Sequence, residues 1–264
     1  MDAKAILKKF EDFLATIPLD NYRTELEPVK TVEQDLPKAL NPLPAIYANY
    51  WVNSPTEFPN FEDFFHKWWT DHLRPLDAFI RKYFWGCSHE FVYLGFKARL
   101  YRTLISVLTQ FHFAYSWLAY CQLPLEASAE LDVKGIDALV RHNKDVTVAL
   151  QIKKETYRSE ARERGRFASR QITVTFTVEI PYTIVRPDEW QQRVKKARKA
   201  ETRARNELLA FLAVKLQRWL PNGFVVFQPN YPLLVERLIQ EEIRQGRQGK
   251  IEWQETLERI LTWL

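Results

Sequence analysis

The apolar run Val146-Thr147-Val148-Ala149-Leu150 follows a turn-forming tetrapeptide, His142-Asn143-Lys144-Asp145, which joins it to an earlier strand-like stretch around Gly135. Two such stretches around such a turn predict a β-hairpin within residues 126–158, and the rest of the chain has to be built around its register. The first strand carries Asp132 and Asp137 on either side of Gly135, and the second ends in Gln151-Ile152-Lys153. Side chains alternate along a strand, so Gln151, Lys153 and Glu155 share one face while Leu150, Ile152 and Lys154 take the other. Asp132 and Asp137 are an odd number of positions apart, which in a regular strand sets them on opposite faces. A bulge at Gly135 would restore a common side.

Acids and an amine on adjacent strands are the residue types that phosphodiester hydrolysis requires. A divalent ion polarises the phosphoryl oxygen and supplies a nucleophilic water at neutral pH. Mg²⁺ takes hard oxygen ligands and keeps several waters, so one or two carboxylates suffice. Asp137 is the first candidate ligand and Asp132 the second, with Glu130 in reserve and Glu126 further back. Lys153 suits the task of orienting or deprotonating the water and offsetting charge in the transition state. Gln151 stands where such sites usually carry an acid; its carbonyl can ligate a metal but brings no charge, so another acid is expected to compensate. Either pattern alone describes a solvated hairpin equally well. Their placement on adjacent strands, with an apolar run between, favours a site.

The segment Pro124-Leu-Glu-Ala-Ser-Ala-Glu-Leu-Asp-Val-Lys-Gly-Ile-Asp-Ala-Leu-Val140, followed by Leu150-Gln-Ile-Lys-Lys-Glu-Thr-Tyr-Arg158, resembles the TaqI-type type II restriction endonucleases. The pieces Thr31-Val-Glu-Gln-Asp-Leu-Pro37 and Asn41-Pro-Leu-Pro44 resemble the same family, so the likeness extends over most of the chain and is densest over 121–158. The resemblance implies that Asp132, Asp137 and Lys153 are active-site residues. It also implies cutting of duplex DNA at 5′-TCGA-3′ with Mg²⁺; that site preference comes from the resemblance alone. Cutting a palindrome takes one active site per strand, so a homodimer on DNA is expected by symmetry. A nonspecific or repair-type nuclease on the same residues, and a non-catalytic basic DNA-binding module, are the competing readings.

A net charge of +5 suits a polyanionic partner without demanding one, so the placement of charge matters more. Directly after the hairpin, Arg158, Arg162, Arg164 and Arg166 form an Arg-rich stretch suited to phosphate or base contacts, with Lys154 just ahead of it. Lys195, Arg198, Lys199 and Arg203 recur at spacings of three and four, a cationic stripe on a long helix predicted from an Asp188 cap to about Leu220. Such a run is as often a solvated helix face as a DNA-backbone contact.

The remaining elements follow from periodicity. Helices are expected over 1–17, over 61–85 with a kink at Pro75, and over 91–120, the last apolar almost all round and therefore buried. Seven prolines between residues 18 and 60 forbid long helices there, so this stretch should wrap a surface in short pieces pinned by Tyr47, Tyr50 and Trp51. Ile172, Val174, Phe176, Val178 and Ile180 alternate with threonines and predict a third strand; Phe224–Phe227 predicts a short buried one, and residues 231–264 two helices split near Gly246–Gly249. The 91–120 helix carries no acid, only Glu90 just ahead, which speaks against a helix-borne metal ligand. His66, His72, Cys87 and His89 are too scattered for a four-ligand zinc site.

The expected class is α/β in an α+β layout, with a restriction-endonuclease-like core in which helices flank a small mixed central sheet. The expected division is a helical region 1–90 packed on the core, a nuclease core 91–230 and C-terminal helices 231–264. Two cysteines make no disulfide framework, which fits a reducing, cytoplasmic compartment. No apolar run approaches a membrane span.

Overall fold

The computed structural model describes residues 2–30, 32, 34–52, 57–155 and 173–264. Two compact units emerge, one formed by residues 8–111 with 220–224, the other by 2–7, 112–219 and 225–264.

The first unit is helical. It draws on α1 (Ala3–Thr16), α2 (Leu19–Leu26), a 3-10 turn (Lys38–Leu40), α3 (Leu43–Tyr50), α4 (Phe61–Asp71), α5 (Leu73–Tyr83) and the first two-thirds of α6 (His89–Tyr120). The proline-rich stretch does run in short pieces, and the buried Tyr50 anchors it by donating its hydroxyl to the Pro59 carbonyl at 2.9 Å. Irregular backbone leaves carbonyls without ladder partners. Arg102 of α6 donates to the carbonyls of Leu26, Glu27 and Val29, and Arg99 donates to that of Gln34. Gly95 lets that segment lie close, because a Cβ there would stand 3.3 Å from the Val32 side chain. Helices α4 and α5 part at His72, not at Pro75. Pro75 falls in the first turn of α5, where its missing N–H costs nothing.

The second unit is built on a five-stranded mixed sheet. Its strands are β1 (Leu125–Glu126), β2 (Ala138–Arg141), β3 (Thr147–Lys154), β4 (Phe176–Tyr182) and β7 (Gly249–Ile251), in the order β1-β2-β3-β4-β7. The hairpin β2–β3 is antiparallel, with Ala138 opposite Leu150, while β4 runs parallel to β3 and β7 parallel to β4. Asn143 makes the turn by accepting the N–H groups of Asp145 and Val146. One face, bearing Val148, Leu150, Ile152, Val178 and Ile180, joins the main core with Trp117, Trp190 and Trp253. The other face carries a smaller cluster of Leu131, Ile136, Leu139 and Ala149.

Several expectations need correction. Asp132 is on no strand: it belongs to a short helix, α7 (Ala129–Val133), capped at its start by Ser128. Gly135 is no bulge either. It ends that helix at φ +76, donating to the Asp132 carbonyl, while Ile136 donates to that of Leu131, the two bonds of a left-handed glycine stop. The long helix from Asp188 is broken into α8 (Pro187–Lys196) and α9 (Ala200–Phe211), followed by a π turn (Leu212–Leu216) and a separate two-stranded sheet of β5 (Gln217–Trp219) and β6 (Val225–Phe227). Asp188 sits in the first turn of α8, and Arg186 holds the cap position. The C-terminal helices α10 (Asn230–Arg244) and α11 (Trp253–Leu261) are separated by β7, a strand absent from the sequence reading. Val174 packs on the smaller cluster, not with Phe176. Ile172 lies outside the described residues.

Candidate active site

The hairpin register decides what meets on the smaller face. With Ala138 opposite Leu150, Asp137 comes opposite Gln151, and directly opposed residues of an antiparallel pair point to the same side. Asp137 ties itself to β3 twice: its N–H donates to the Leu150 carbonyl at 3.0 Å, and its carboxylate accepts the Ile152 N–H. Burial, reinforced by the neighbouring charge of Asp132, pushes the Asp137 carboxyl up to about 8; the Ile152 N–H and the positive Lys153 pull the other way. Asp132 and Lys153 therefore both act electrostatically on Asp137, although Asp132 arrives from a helix and not from a strand. The compact Gly135 turn carries the chain from one aspartate to the other.

Gln151 occupies the position where an acid was looked for, and its contact explains the residue type. Its side-chain amide donates to the Gly135 carbonyl at 2.8 Å, pinning the turn between the two aspartates. An ionised carboxylate has no proton to give and could not make this bond. Glu130 is exposed on α7, and Glu126 is exposed and pairs with Arg141 at 2.9 Å.

Lys153 is held by a residue the sequence reading missed. Its ammonium lies 2.6 Å from a carboxylate oxygen of Glu179 on β4, a side chain with almost no solvent exposure. Burial would raise Glu179, but side-chain hydrogen bonds with Glu252, Lys153 and Lys250 outweigh it and hold the carboxyl at about 2. A signal was available: Glu179 is the one acid in the alternating run 172–180, on its threonine face.

The basic residues divide. Lys195, Arg198, Lys199 and Arg203 are exposed, but the break between α8 and α9 removes the single stripe, and Arg203 reaches back to the Ala197 carbonyl at 3.4 Å. Lys154 is exposed at the end of β3, while Arg158, Arg162, Arg164 and Arg166 lie outside the described residues. Glu90 is exposed in the first turn of α6. Of the scattered zinc candidates, His72 stacks on Trp68 and bonds its carbonyl at 2.7 Å, and His89 stacks on Tyr93.

A family model described as TaqI restriction endonuclease matches residues 7–240, most of the chain and all of this site. The chain belongs to the TaqI restriction endonuclease family. It is 49% identical over 263 residues to the type II restriction enzyme TaqI of Thermus aquaticus, covering 98% of this chain and 97% of that protein. It is 48% identical over 262 residues to the type II restriction enzyme TthHB8I of Thermus thermophilus, with the same coverage. No solved structure matches it. Membership of the TaqI family makes the chain a type II restriction endonuclease, with double-stranded DNA as its substrate class. No described helix is long and apolar enough to cross a membrane.

Proposed function

We propose that this restriction endonuclease hydrolyses one phosphodiester in each strand of duplex DNA at 5′-TCGA-3′, with Mg²⁺, as a homodimer. The observation that carries the reading is that Asp137 and Lys153 share one sheet face of a TaqI-family chain, with Asp132 on α7 close enough to act on the Asp137 charge.

The donor set fits a hard divalent cation. Asp132 and Asp137 bring two carboxylates with hard oxygen donors, a number Mg²⁺ accepts when it keeps most of its waters. The pair is also frustrated by itself: the charge of Asp132 helps to raise Asp137, a repulsion that a cation between them would relieve. Asp132 and Asp137 would hold the ion, which when bound polarises the phosphoryl oxygen and lowers the pKa of a coordinated water.

The chain's own groups do the rest. Lys153 acts on the Asp137 charge and its side chain is half-exposed, able to orient the attacking water and offset charge growing on the phosphate. Gln151 holds the Gly135 turn and with it the spacing of the two aspartates. Exposed Lys154, Lys195, Arg198, Lys199 and Arg203, together with Arg158, Arg162, Arg164 and Arg166, supply backbone contacts whose strength falls with salt. The TCGA tetranucleotide reads the same on both strands, so two copies related by a two-fold axis present one site to each strand.

The test is a digest of one long duplex with Mg²⁺ or with EDTA, with the ends sequenced. Discrete fragments ending within TCGA, in the Mg²⁺ lane only, are expected. A smear, or cutting in EDTA, overturns the reading. Sedimentation with a TCGA duplex in Ca²⁺ should give two chains per duplex.

A further inference from the structure

Three parallel strands bring alternating charges into one row. The register sets Glu179 beside Gln151 and Thr177 beside Lys250, so Lys153 of β3, Glu179 of β4 and Lys250 of β7 share the sheet face that carries Asp137. One carboxylate oxygen of Glu179, Oε1, accepts from Lys153 Nζ at 2.6 Å and lies 2.9 Å from Lys250 Nζ. The other, Oε2, accepts the backbone N–H of Trp253 at 3.2 Å, where α11 begins. Lys250 also reaches Glu252 at 3.0 Å. Both oxygens of Glu179 are thus engaged, and the side chain is buried against a fully buried Trp253.

A carboxylate so fixed can fix something else. A lysine ammonium on four methylenes has about 2 kcal/mol of rotamer entropy to lose, and wanders unless it is anchored. An acid beside a phosphate-cutting site would by itself repel the substrate, and Lys153 and Lys250 together offset the charges of Glu179 and of Glu252, the second partner of Lys250. If strength were the only requirement, apolar residues of similar volume would serve as well as buried charges. We propose that Glu179 is the positioning residue for Lys153, and that Lys250 shares its Oε1 as the counter-charge that leaves no net negative field toward the phosphate. The proposal rests on Lys153 being the amine that assists cleavage.

The test is a double-mutant cycle on Glu179→Gln and Lys153→Met, read as single-turnover cleavage and KM on the same duplex, with a metal-free footprint beside it. Glu179→Gln is expected to slow cleavage about 100-fold, the scale of a small misplacement of a reacting group. KM should stay within about threefold, since ground-state binding is not at issue. In a Lys153→Met background the same change should add almost nothing. In EDTA, brief acetylation followed by mass spectrometry should show Lys153 and Lys250 modified faster in Glu179→Gln than in wild type, with exposed Lys154 as the internal reference. If Glu179→Gln does not fold, Glu179→Asp, which keeps the charge one methylene back, enters the same cycle and the same non-additivity is expected. Effects that multiply, or an unchanged Lys153 footprint, overturn the inference and leave the nuclease reading standing. A Lys153→Met enzyme that cuts at the wild-type rate overturns both, and is told apart because no change at Glu179 is involved.

Discussion

Among the described residues four glutamates, Glu155, Glu179, Glu236 and Glu242, are buried and all belong to the sheet-bearing unit, whereas the buried interior of the helical unit is aromatic and aliphatic apart from Thr109. In the helical unit Arg99 and Arg102 fill carbonyls of an irregular segment, and rings pack on one another, Trp68 on Phe96 and Phe65 on Tyr93. In the sheet-bearing unit each buried carboxylate holds a specific partner. Glu236 accepts the Gln122 and Leu123 N–H groups, Glu242 pairs with Arg259, Glu155 with Arg205 and Glu179 with Lys153. Burying charge is costly unless it is paired, so such pairs collect where charges must be placed and not merely where bulk must be filled. The contrast predicts that stability and catalysis can be damaged separately.

Asp137→Asn should give the largest effect, a loss of cleavage on the order of 10⁴-fold, because a ligating charge disappears from the site. Stability should move the other way. The Asp137 carboxyl is held at about 8 by burial and by Asp132, whereas in the unfolded chain it would titrate near its ordinary value of about 3.9. Between those limits the folded form binds a proton that the unfolded form does not. Its contribution is therefore fully present below about pH 3.9 and lost as pH rises through about 8. Asparagine escapes that loss, so in EDTA the Tm of Asp137→Asn should gain on wild type between pH 5 and 9. Parallel Tm curves would falsify the raised carboxyl.

Trp68→Ala supplies the opposite damage. The ring is fully buried against His72 and Phe96, and its removal should cost about 3–5 kcal/mol of unfolding free energy. Single-turnover cleavage by the folded protein at 25 °C should stay within about threefold, since no atom at the phosphate is touched. Denaturant melts and a rate measured below the transition decide it. A folded Trp68→Ala protein that had lost cutting would erase the distinction between the two units.

What the sequence disclosed follows the same line. Wherever apolar periodicity was strong it led to the right element: α1, α6, the β2–β3 hairpin and β4 all lie close to where their patterns put them. Alternation put Gln151 and Lys153 on one face of β3, and the hairpin register seen in the structure adds Asp137 to it. Asp132 was misplaced because α7 is a single turn, too short to show a helical period, and its Ser128 cap and Gly135 stop are weak signals in isolation. Glu179 and Lys250 went unseen for a different reason. They meet Lys153 only through the parallel neighbours β4 and β7, and β7 is three residues long with a glycine at its head. Long-range parallel pairing leaves no local trace, and a sequence read in windows cannot recover it. The break between α8 and α9 was missed because the residues around Ala197 contain neither proline nor glycine.

Gln151→Glu should give the smallest effect, and it asks whether position 151 is a ligand or a brace. If the position only tolerates glutamine in place of an acid, adding the acid supplies a third carboxylate, and cleavage at limiting Mg²⁺ should rise. The structure argues otherwise: the side chain donates to the Gly135 carbonyl at 2.8 Å, and a carboxylate would set oxygen against oxygen there. It would also add a second negative neighbour to Asp137, already raised by Asp132. The expected outcome is a loss of about tenfold in single-turnover rate and about 1–3 kcal/mol in stability, the cost of leaving a partly buried carbonyl unpaired. Gln151→Met removes the donor without adding charge and separates the two terms. If it behaves like Gln151→Glu, the brace accounts for the whole effect; if it cuts like wild type while the glutamate variant fails, charge alone governs the position. A glutamate variant faster than wild type at low Mg²⁺ would return residue 151 to the ligand set and leave the Gly135 turn to hold its shape through α7 and β2 alone.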